Sequence, residues 1–314
     1  MSGIQFQTVL FHNRPEALKR SARSLCASLE YARRHGQNLD RCVLLWGDAS
    51  EKPCMTEAEL EKLRSECTGL DIEYVLFGEN TGTSRGHNRL LPMAGCDLLV
   101  TMNPDVVAAP SCVFHLLEAF AEEKTGMAEA RQTPLEHPKA YDPATRTISW
   151  ASGAFSMIRR ACFEEIGGYD EHFFLYCDDV DLSWRARLRG WNLVYVPEAV
   201  VYHGKSLSGD GGMQPTDADL RYSPEAEMML MYRFGWTAEL EEKKRQLAQS
   251  PLPLEREALA AFEERERCGG LPDPLDPEHK VSHFPLYAGD MSRFRPEDGW
   301  NADVVMTEMK HLWT

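Results

Sequence analysis

Short apolar runs alternate with amphipathic stretches along the first 120 residues of the chain. The apolar runs occupy residues 6–11, 42–46, 72–77 and 97–102. The amphipathic stretches occupy residues 15–33, 56–66 and 111–123. Runs of the first kind are typical of buried strands, and apolar residues at helical spacing predict helices. Strands that alternate with helices in this way predict an α/β fold, in which helices flank a mostly parallel sheet.

The pattern is less regular in the rest of the chain. Strands are predicted at 155–158, 192–196 and 200–203, with Pro197-Glu198 as a turn between the last two. Helices are predicted at 160–166, 179–189, 225–234 and 237–249. Residues 129–148 give a weak signal, and residues 251–314 show little periodicity. We therefore expect an irregular tail after the last helix.

Three polar segments follow the predicted strands. They are Gly47-Asp48, the loop at 80–88 and Asn103-Pro104-Asp105. The Gly/Asn/Thr-rich segment 78–88 is predicted as a loop that leads into a short helix ending at Met93. In open α/β sheets, ligands bind beyond the carboxyl ends of the strands. We therefore expect the three segments to contribute to one site.

Composition excludes several classes of function. The formal net charge of −15 over 314 residues disfavours binding of nucleic acid, which requires a basic face. No apolar run has the length of a membrane span, and the N-terminus has no signal-peptide pattern. The nine cysteines are odd in number and scattered, as expected for reduced thiols in the cytoplasm. We expect a cytoplasmic protein.

Three carboxylates, Asp178, Asp179 and Asp181, lie where an aromatic run meets a predicted helix. Two adjacent carboxylates repel each other, so at least one should bind its proton more tightly than an isolated aspartate. Such a group suits general-base catalysis. The alternative is simple capping of the first helical turn. Asp181 fits a structural role, because Arg185 lies four residues further on.

The chain resembles the family 2 inverting glycosyltransferases of the GT-A fold, and within them the bacterial branch that includes rhamnosyltransferases. The resemblance covers roughly residues 4–236. The matching residues are Asn80-Thr81-Gly82, Gly86-His87-Asn88, Asn103-Pro104-Asp105, Ser152-Gly153-Ala154, Gly167-Gly168-Tyr169-Asp170-Glu171, Phe173-Phe174-Leu175-Tyr176, Asp178-Asp179-Val180-Asp181-Leu182 and Val201-Tyr202-His203. It implies a GT-A domain at 1–236, with a donor half at about 1–110 and an acceptor and catalytic half at about 111–236. A helical and irregular C-terminal extension occupies 237–314.

The resemblance also implies roles for individual residues. Asp179 is the expected base, with Asp178 beside it. Asp105 is the expected ligand of Mg²⁺ or Mn²⁺, with His203 as a second ligand; the alternative is an ordinary strand-end turn at Asn-Pro-Asp. The expected donor-binding residues are Asp48, Asn80, Gly82, Gly86, Asn88, Asn103, Asp105 and Gly153. Phe174 and Tyr176 are expected at the acceptor, although an aromatic run beside a helix is usually core.

Two positions depart from the family pattern. The strand-end D-x-D of the family is Asn103-Pro104-Asp105 here, so only Asp105 keeps a carboxylate. Gly47 stands at the usual aspartate position of the second-strand loop, which leaves the role of Asp48 in holding the nucleotide base open.

We therefore expect an inverting, metal-dependent glycosyltransferase of bacterial polysaccharide synthesis. Its donor would be dTDP-rhamnose or a UDP-sugar, and its acceptor a glycan or a lipid-linked saccharide. The loop at 204–212 is expected to close over the donor. A catalytically degenerate GT-A module that binds sugar nucleotides or glycans is the alternative. Peripheral association with the inner face of the membrane and a homodimer are left open.

Overall fold

The computed structural model describes residues 3–137, 139, 141–204 and 215–287. In these ranges the chain forms eight strands and nine α-helices. The strands are β1 (Gly3–Leu10), β2 (Arg41–Asp48), β3 (Asp71–Leu76), β4 (Leu98–Met102), β5 (Val106–Ala108), β6 (Thr125–Thr133), β7 (Phe155–Arg159) and β8 (Asn192–His203). The helices are α1 (Pro15–Arg34), α2 (Glu57–Glu66), α3 (Gly82–Leu90), α4 (Cys112–Ala119), α5 (Arg160–Glu165), α6 (Asp178–Leu188), α7 (Asp217–Arg233), α8 (Thr237–Ala248) and α9 (Pro253–Cys268).

All eight strands belong to one sheet, with the order β3-β2-β1-β4-β7-β6-β8-β5. The strands β3, β2, β1 and β4 run parallel to one another, and β6 is parallel to β8. The strand β7 runs antiparallel to both β4 and β6, and β5 runs antiparallel to β8. The expected α/β sheet is confirmed, but it is mixed, because the parallel order breaks at β7.

A large apolar core lies between one face of the sheet and the helices α1, α2 and α4. Phe6 and Leu44 from the sheet meet Leu25 and Leu116 from the helices there, and all four are fully buried. Burial of each such side chain contributes roughly 1.5–3 kcal/mol. The helices that the amphipathic pattern predicts therefore pack on the sheet, and this packing holds the strands and their ends in position.

A separate apolar cluster joins the C-terminal helices to the helix α6. Trp184 of α6 and Phe234 pack edge to face, 4.8 Å apart, and Phe262 of α9 is buried in the same cluster. The helix α9 contradicts the irregular tail expected after residue 251. Pro253 begins it and Gly269, at φ +69°, ends it, as expected for both residue types. The apolar face of α9 is narrow, which is why its periodicity was weak.

Other parts of the sequence-based expectation also need correction. The segment expected as a loop up to Asn88 is helical from Gly82 onward. The strands expected at 192–196 and 200–203 are one strand, β8, and the pairing register with β6 shifts near the predicted turn. The strand β6 was not predicted because its buried face carries polar residues such as Glu129.

No helix within the described ranges combines the length and the apolar character that a membrane crossing requires. Of the loop expected to close over the donor, only Gly204 is described, and residues 205–212 lie outside the described residues. Residues 288–314 of the C-terminal extension also lie outside them.

Candidate active site

The end of β4 and the start of β7 bring two predicted parts of the site together. These strands are neighbours, and the backbone N–H of Asn103 donates to the carbonyl of Ala154 over 3.0 Å. The backbone N–H of Gly153 donates to Oδ2 of Asp179 over 2.8 Å. The loop at 103–105 and Asp179 therefore lie on two sides of one short segment, each held to it by a hydrogen bond. The sheet topology brings these residues together although 76 positions separate Asn103 from Asp179 in the sequence.

Asp105 and His203 meet because β5 pairs with the end of β8. Val106 is the register partner of His203, so Asp105 lies beside the imidazole. The distance from Nε2 of His203 to Oδ1 of Asp105 is 3.6 Å, and to Nδ2 of Asn103 it is 3.2 Å. The side chain of Asp105 is 43% exposed, whereas that of His203 is 11% exposed. A ligand that approaches from solvent thus meets the carboxylate first.

The second imidazole nitrogen of His203 fixes its orientation. Nδ1 lies 2.9 Å from Oε1 of Gln132 on β6, to which it donates its proton. The lone pair of a neutral imidazole is then on Nε2, which faces Asn103 and Asp105. A hydrogen bond of this kind on the far nitrogen is the usual support of a metal-binding histidine.

The residues near Asp105 fit a divalent ion whose remaining ligands come from the substrate. Mg²⁺ prefers oxygen ligands at about 2.0–2.1 Å and usually keeps several waters or phosphate oxygens. Two atoms 3.6 Å apart, such as the Asp105 oxygen and Nε2 of His203, can contact one such ion. The described residues contain no cluster of three or more carboxylate, imidazole or thiol ligands. An ion here would therefore need phosphate oxygens to complete its coordination.

Asp178 and Asp179, which we call the acidic pair, occupy the first turn of α6. Oδ2 of Asp178 accepts a 2.7 Å hydrogen bond from the hydroxyl of Thr83. Asp179 accepts from the N–H groups of Gly153 and Val180, each over 2.8 Å. No arginine or lysine forms an ion pair with either carboxylate among the described residues. The pair is therefore held by neutral donors.

The environment of the acidic pair favours the protonated state. Burial and the adjacent charge of Asp179 raise the pKa of Asp178 to about 7. Burial also raises the pKa of Asp179, against the hydrogen bond from Gly153 and the positive charge of Lys139. Asp178 is almost fully buried and Asp179 is half-buried. Asp179 is thus the member that a substrate can reach, with a basicity above that of an ordinary aspartate.

The backbone before the acidic pair is strained. Tyr176 and Cys177 have φ values of +68° and +56°, in the left-handed region that non-glycine residues rarely adopt. Strain of this kind persists only where the surroundings impose it, and it is frequent at functional sites. Here it turns the chain sharply, so that α6 begins at Asp178 with its N-terminus toward Gly153.

Asp181 has the structural role that the sequence predicted. It is fully buried, and Oδ2 accepts a 2.7 Å hydrogen bond from Nε of Arg185. Nε of Arg233 on α7 lies 3.1 Å from the other carboxylate oxygen, and Arg233 also pairs with Asp170. We call Asp170 and Asp181 the arginine-paired acids. They attach α7 and the 167–170 loop to α6.

The glycines and asparagines of the expected donor loop make contacts within the protein. A Cβ on Gly82, whose φ is +64°, would lie 2.2 Å from the carbonyl oxygen of Phe174, and one on Gly86 would lie 2.6 Å from Val9. Asn80 accepts from the N–H of Gly82 over 3.2 Å and so supports the start of α3. The two glycines therefore allow α3 to pack closely against the sheet and the 174 segment. Their donor-binding role stays a prediction.

Asn88 is occupied on both sides of its amide. Its Nδ2 donates to the carbonyl of Tyr169 over 2.8 Å and to Glu171 over 3.0 Å. Its Oδ1 accepts from the N–H of Tyr169 over 2.9 Å. Asn88 thus fixes the loop that leads to α6, and its donor-binding role stays a prediction.

Asp48 is fully buried at the end of β2. Its carboxylate accepts from the N–H of Ser50 over 2.9 Å, from the N–H of Cys54 over 2.7 Å and from the hydroxyl of Tyr74. Burial raises the pKa of Asp48, but the hydrogen bonds from Tyr74, Ser50 and Cys54 outweigh it and hold the pKa below its usual value. The carboxylate organises the 48–54 loop, and contact of Asp48 with a nucleotide stays a prediction.

The two aromatic residues expected at the acceptor both contact α7. The ring of Phe174 lies 5.1 Å from that of Tyr222, and it covers Gly82. Burial raises the pKa of Tyr176, as does the hydrogen bond of its hydroxyl to Asp219. Both are half-buried, and their role toward an acceptor stays a prediction.

Sequence reasoning missed the residues that support the site from a distance. Thr83 holds Asp178, and Gln132 orients His203. Lys139 is buried, pairs with Glu129 at 2.7 Å and lies 3.6 Å above the ring of Trp150. Thr83 lies inside the quoted Asn80 to Asn88 motif, which was a usable signal. The others lie in the stretch 129–148, where no pattern pointed to them.

A cavity of about 980 Å³ lies at the other end of β6 and β8. Thr125 and Asn192, at the beginnings of these strands, line it, as do Glu118 and Glu122 from the end of α4. It is separate from the strand ends that carry the acidic pair, so it forms no part of the candidate active site.

The fold is that of the GT-A glycosyltransferases. Two solved structures share it at 13% sequence identity. GalNAc-T7 with UDP, GalNAc and Mn²⁺ gives a TM-score of 0.60 and covers 91% of this chain and 58% of that one. The mannosyltransferase PcManGT from Pyrobaculum calidifontis, in complex with GDP-Man and Mn²⁺, gives 0.53 and covers 86% and 76%.

The predicted resemblance to family 2 is confirmed within this fold. Residues 142–209 match the model described as "Glycosyltransferase like family 2", and they include the acidic pair and His203. The N-acetylglucosaminyl-diphospho-decaprenol L-rhamnosyltransferase of Mycobacterium tuberculosis is 45% identical over 175 residues. That match covers 42% of this chain and 57% of the relative, so the chain spans little more than half the length of that protein.

Proposed function

We propose that the protein transfers L-rhamnose, with inversion, from dTDP-rhamnose to an N-acetylglucosaminyl-diphospho-polyprenol. One observation carries the proposal: Gly153 and Ala154 join Asp179 on one side to the Asn103 to Asp105 loop on the other. A glycosyl transfer by single displacement needs a base at the acceptor hydroxyl and positive charge at the leaving diphosphate. The two sides of this segment suit those two tasks. The choice of sugar and acceptor follows the activity of the mycobacterial relative.

In the proposed mechanism, Asp179 accepts the proton of the acceptor hydroxyl. Its half-buried carboxylate can be reached by a substrate, and its raised pKa makes it a stronger base than a solvated aspartate. The N–H groups of Gly153 and Val180 hold the carboxylate in one orientation. Asp178, whose pKa is raised to about 7, carries its own proton in part of the molecules near neutral pH, which limits the negative charge next to Asp179.

Asp105 and His203 would hold Mg²⁺ or Mn²⁺ on the diphosphate of the donor. The ion would neutralise the charge that develops on the leaving group. Asn103 and Gln132 keep the imidazole in place, with Nε2 toward Asp105. The proposal includes contact of the protein with the membrane surface, because a lipid-linked acceptor would lie there. The homodimer stays a prediction.

The test is a transfer assay with the purified chain. dTDP-rhamnose, UDP-glucose and UDP-N-acetylglucosamine would each be offered with N-acetylglucosaminyl-diphospho-citronellol, a short-chain acceptor, with and without Mn²⁺. We expect a product only when dTDP-rhamnose is the donor. NMR should show that the anomeric configuration is inverted in the product, and EDTA should abolish turnover. Transfer of another sugar would contradict the donor assignment. Absence of transfer from every donor, with no thermal stabilisation by any nucleotide, would contradict the enzyme and favour a binding module.

A further inference from the structure

The last described stretch of the C-terminal extension returns to the acceptor side of the acidic pair. The indole Nε1 of Trp150 donates to the carbonyl of Leu286 over 3.3 Å, and Leu286 is buried. The guanidinium of Arg187 on α6 donates to the carbonyl of Val281 over 2.6 Å. These contacts fix residues 281–287 against α6 and against the segment that leads from Trp150 to Gly153.

Tyr287 is supported by two aromatic rings. The ring of His137 lies nearly parallel to it, with centroids 5.9 Å apart, and the ring of Trp150 lies edge-on at 6.0 Å. Trp150 also contacts Lys139, whose Nζ lies 3.6 Å from the centre of the indole ring. An exposed tyrosine is usually mobile, but this one has a rigid backing.

Tyr287 nevertheless exposes 51% of its surface, more than any other large apolar or aromatic residue in the described ranges. With one side covered by His137, the exposed area is available to a ligand. The face of a phenol ring carries partial negative charge and binds the partly positive C–H groups of a flat apolar surface. One side of a pyranose ring presents such C–H groups.

Packing places Tyr287 on the side of the acidic pair. Leu286, its neighbour in the chain, lies in the same apolar cluster as Val180 and Cys177, which flank the acidic pair. The donor side, with Asp105 and His203, lies across the Gly153–Ala154 segment from Asp179. A saccharide lying on Tyr287 would therefore be on the side of the base, as an acceptor must be.

We propose that Tyr287, backed by His137 and Trp150, is the platform on which the sugar ring of the acceptor lies. The inference rests on the proposed function and deepens it, because it assigns the acceptor subsite to the C-terminal extension. Phe174 and Tyr176, the residues expected there from the sequence, contact α7, and their role toward an acceptor stays a prediction.

The experiment uses the full chain with dTDP-rhamnose and N-acetylglucosaminyl-diphospho-citronellol. Tyr287→Ala should raise the KM for the acceptor by about three- to tenfold, the range expected for loss of one stacked ring, and leave the KM for the donor unchanged. Tyr287→Phe should remain within about twofold of the wild type, because the ring is kept. Leu252→Ala, at an exposed residue before α9, is the matched control and should change neither constant.

Tyr287→Leu covers the case in which the alanine variant fails to fold, since it keeps apolar volume without a ring. It should give the same rise in acceptor KM as Tyr287→Ala. An acceptor KM within twofold of the wild type in a folded ring-free variant would overturn the inference while leaving the transferase intact.

Saturation-transfer NMR with the acceptor alone separates the inference from the function. The wild type should transfer saturation to the C–H protons of the sugar, and Tyr287→Leu should lose that signal. Loss of the signal in a chain that transfers no sugar would support the platform and contradict the proposed enzyme. Saturation of the citronellyl chain alone, or no binding by the wild type, would overturn the platform.

Discussion

The acidic pair and Asp181, one of the arginine-paired acids, lie within one turn of α6, yet they differ in every side-chain partner. Asp178 and Asp179 accept hydrogen bonds from a hydroxyl and from backbone amides. Asp181 is held by Arg185 and Arg233. Neutral donors leave a buried carboxylate free to change its protonation near neutral pH, whereas a guanidinium favours the charged form of its partner. At Asp181 burial still outweighs the two arginines and raises the pKa.

The comparison shows that the first turn of α6 carries two kinds of carboxylate, one that can bind a proton and one that pairs with arginine. Asp170 shows the effect of an arginine partner most clearly. Burial raises the pKa of Asp170, but Arg233 and His172 outweigh burial and lower the pKa to about 2. The arginine-paired acids hold elements together, and the acidic pair stays available for a proton. Four changes would separate these roles, beginning with the largest effect.

Arg233→Met should lower the free energy of unfolding by about 3–5 kcal/mol, because it leaves Asp181 buried with one arginine fewer and removes the partner of Asp170. Urea unfolding followed by circular dichroism measures the change. Arg245→Met, which removes an exposed ion pair with Glu242, should have no measurable effect. An Arg233 variant as stable as the wild type would mean that the arginine-paired acids do not hold α7.

Asp179→Asn should lower kcat by roughly 100-fold or more, since it removes the base while keeping the size of the side chain. The melting temperature with dTDP and Mn²⁺ should stay close to that of the wild type. Asp142→Asn, in an exposed turn, is the control for general effects of losing a carboxylate. Full transfer by a folded Asp179→Asn chain would rule out the assigned base.

The acidic pair should also affect stability as pH changes. The pKa of Asp178 is raised to about 7 in the folded chain, so between pH 4 and 7 the folded state binds more protons than the unfolded state. Stability from this group is therefore full at low pH and falls as pH rises toward 7, by up to about 1.4 kcal/mol per pH unit. Urea unfolding of wild type and Asp178→Asn across this range measures the difference. Parallel curves would show that Asp178 titrates normally.

Thr83→Val should cost about 1 kcal/mol, because it removes the hydroxyl that donates to Asp178. The same change should raise the pKa of Asp178 further, since that hydrogen bond lowers it. Thr83→Ser keeps the hydroxyl and serves as the control. A valine variant whose pH dependence matches that of the serine variant would show that Thr83 does not hold the carboxylate.

Strands and helices with a clear periodic pattern were predicted well. Contacts between residues that lie far apart in the sequence were not predicted. The strands that open the sheet and the helix α1 have a clear apolar pattern, and the structure confirms them. The strand β6 hides Glu129 and Gln132 in its buried face, so its pattern is not that of a strand. Half of the residues of α9 are charged, and only three of its side chains are buried.

The candidate site shows the same division. The acidic pair, Asp105 and His203 could be selected because their chemistry is visible in adjacent residues. Their supports could not, because Thr83 lies 95 positions from Asp178 and Gln132 lies 71 positions from His203. Gly82 and Gly86 lie in a helix and not in the predicted loop, and they allow this helix to pack closely, while their donor-binding role stays a prediction.

The bond from Trp150 to Leu286 joins residues 136 positions apart. Contacts of such sequence separation form late in folding, and a chain emerges from the ribosome with its N-terminus first. The acidic pair and the strand ends around it are thus synthesised about a hundred residues before Tyr287. A nascent chain would therefore contain the acidic pair before the C-terminal segment arrives to cover Trp150.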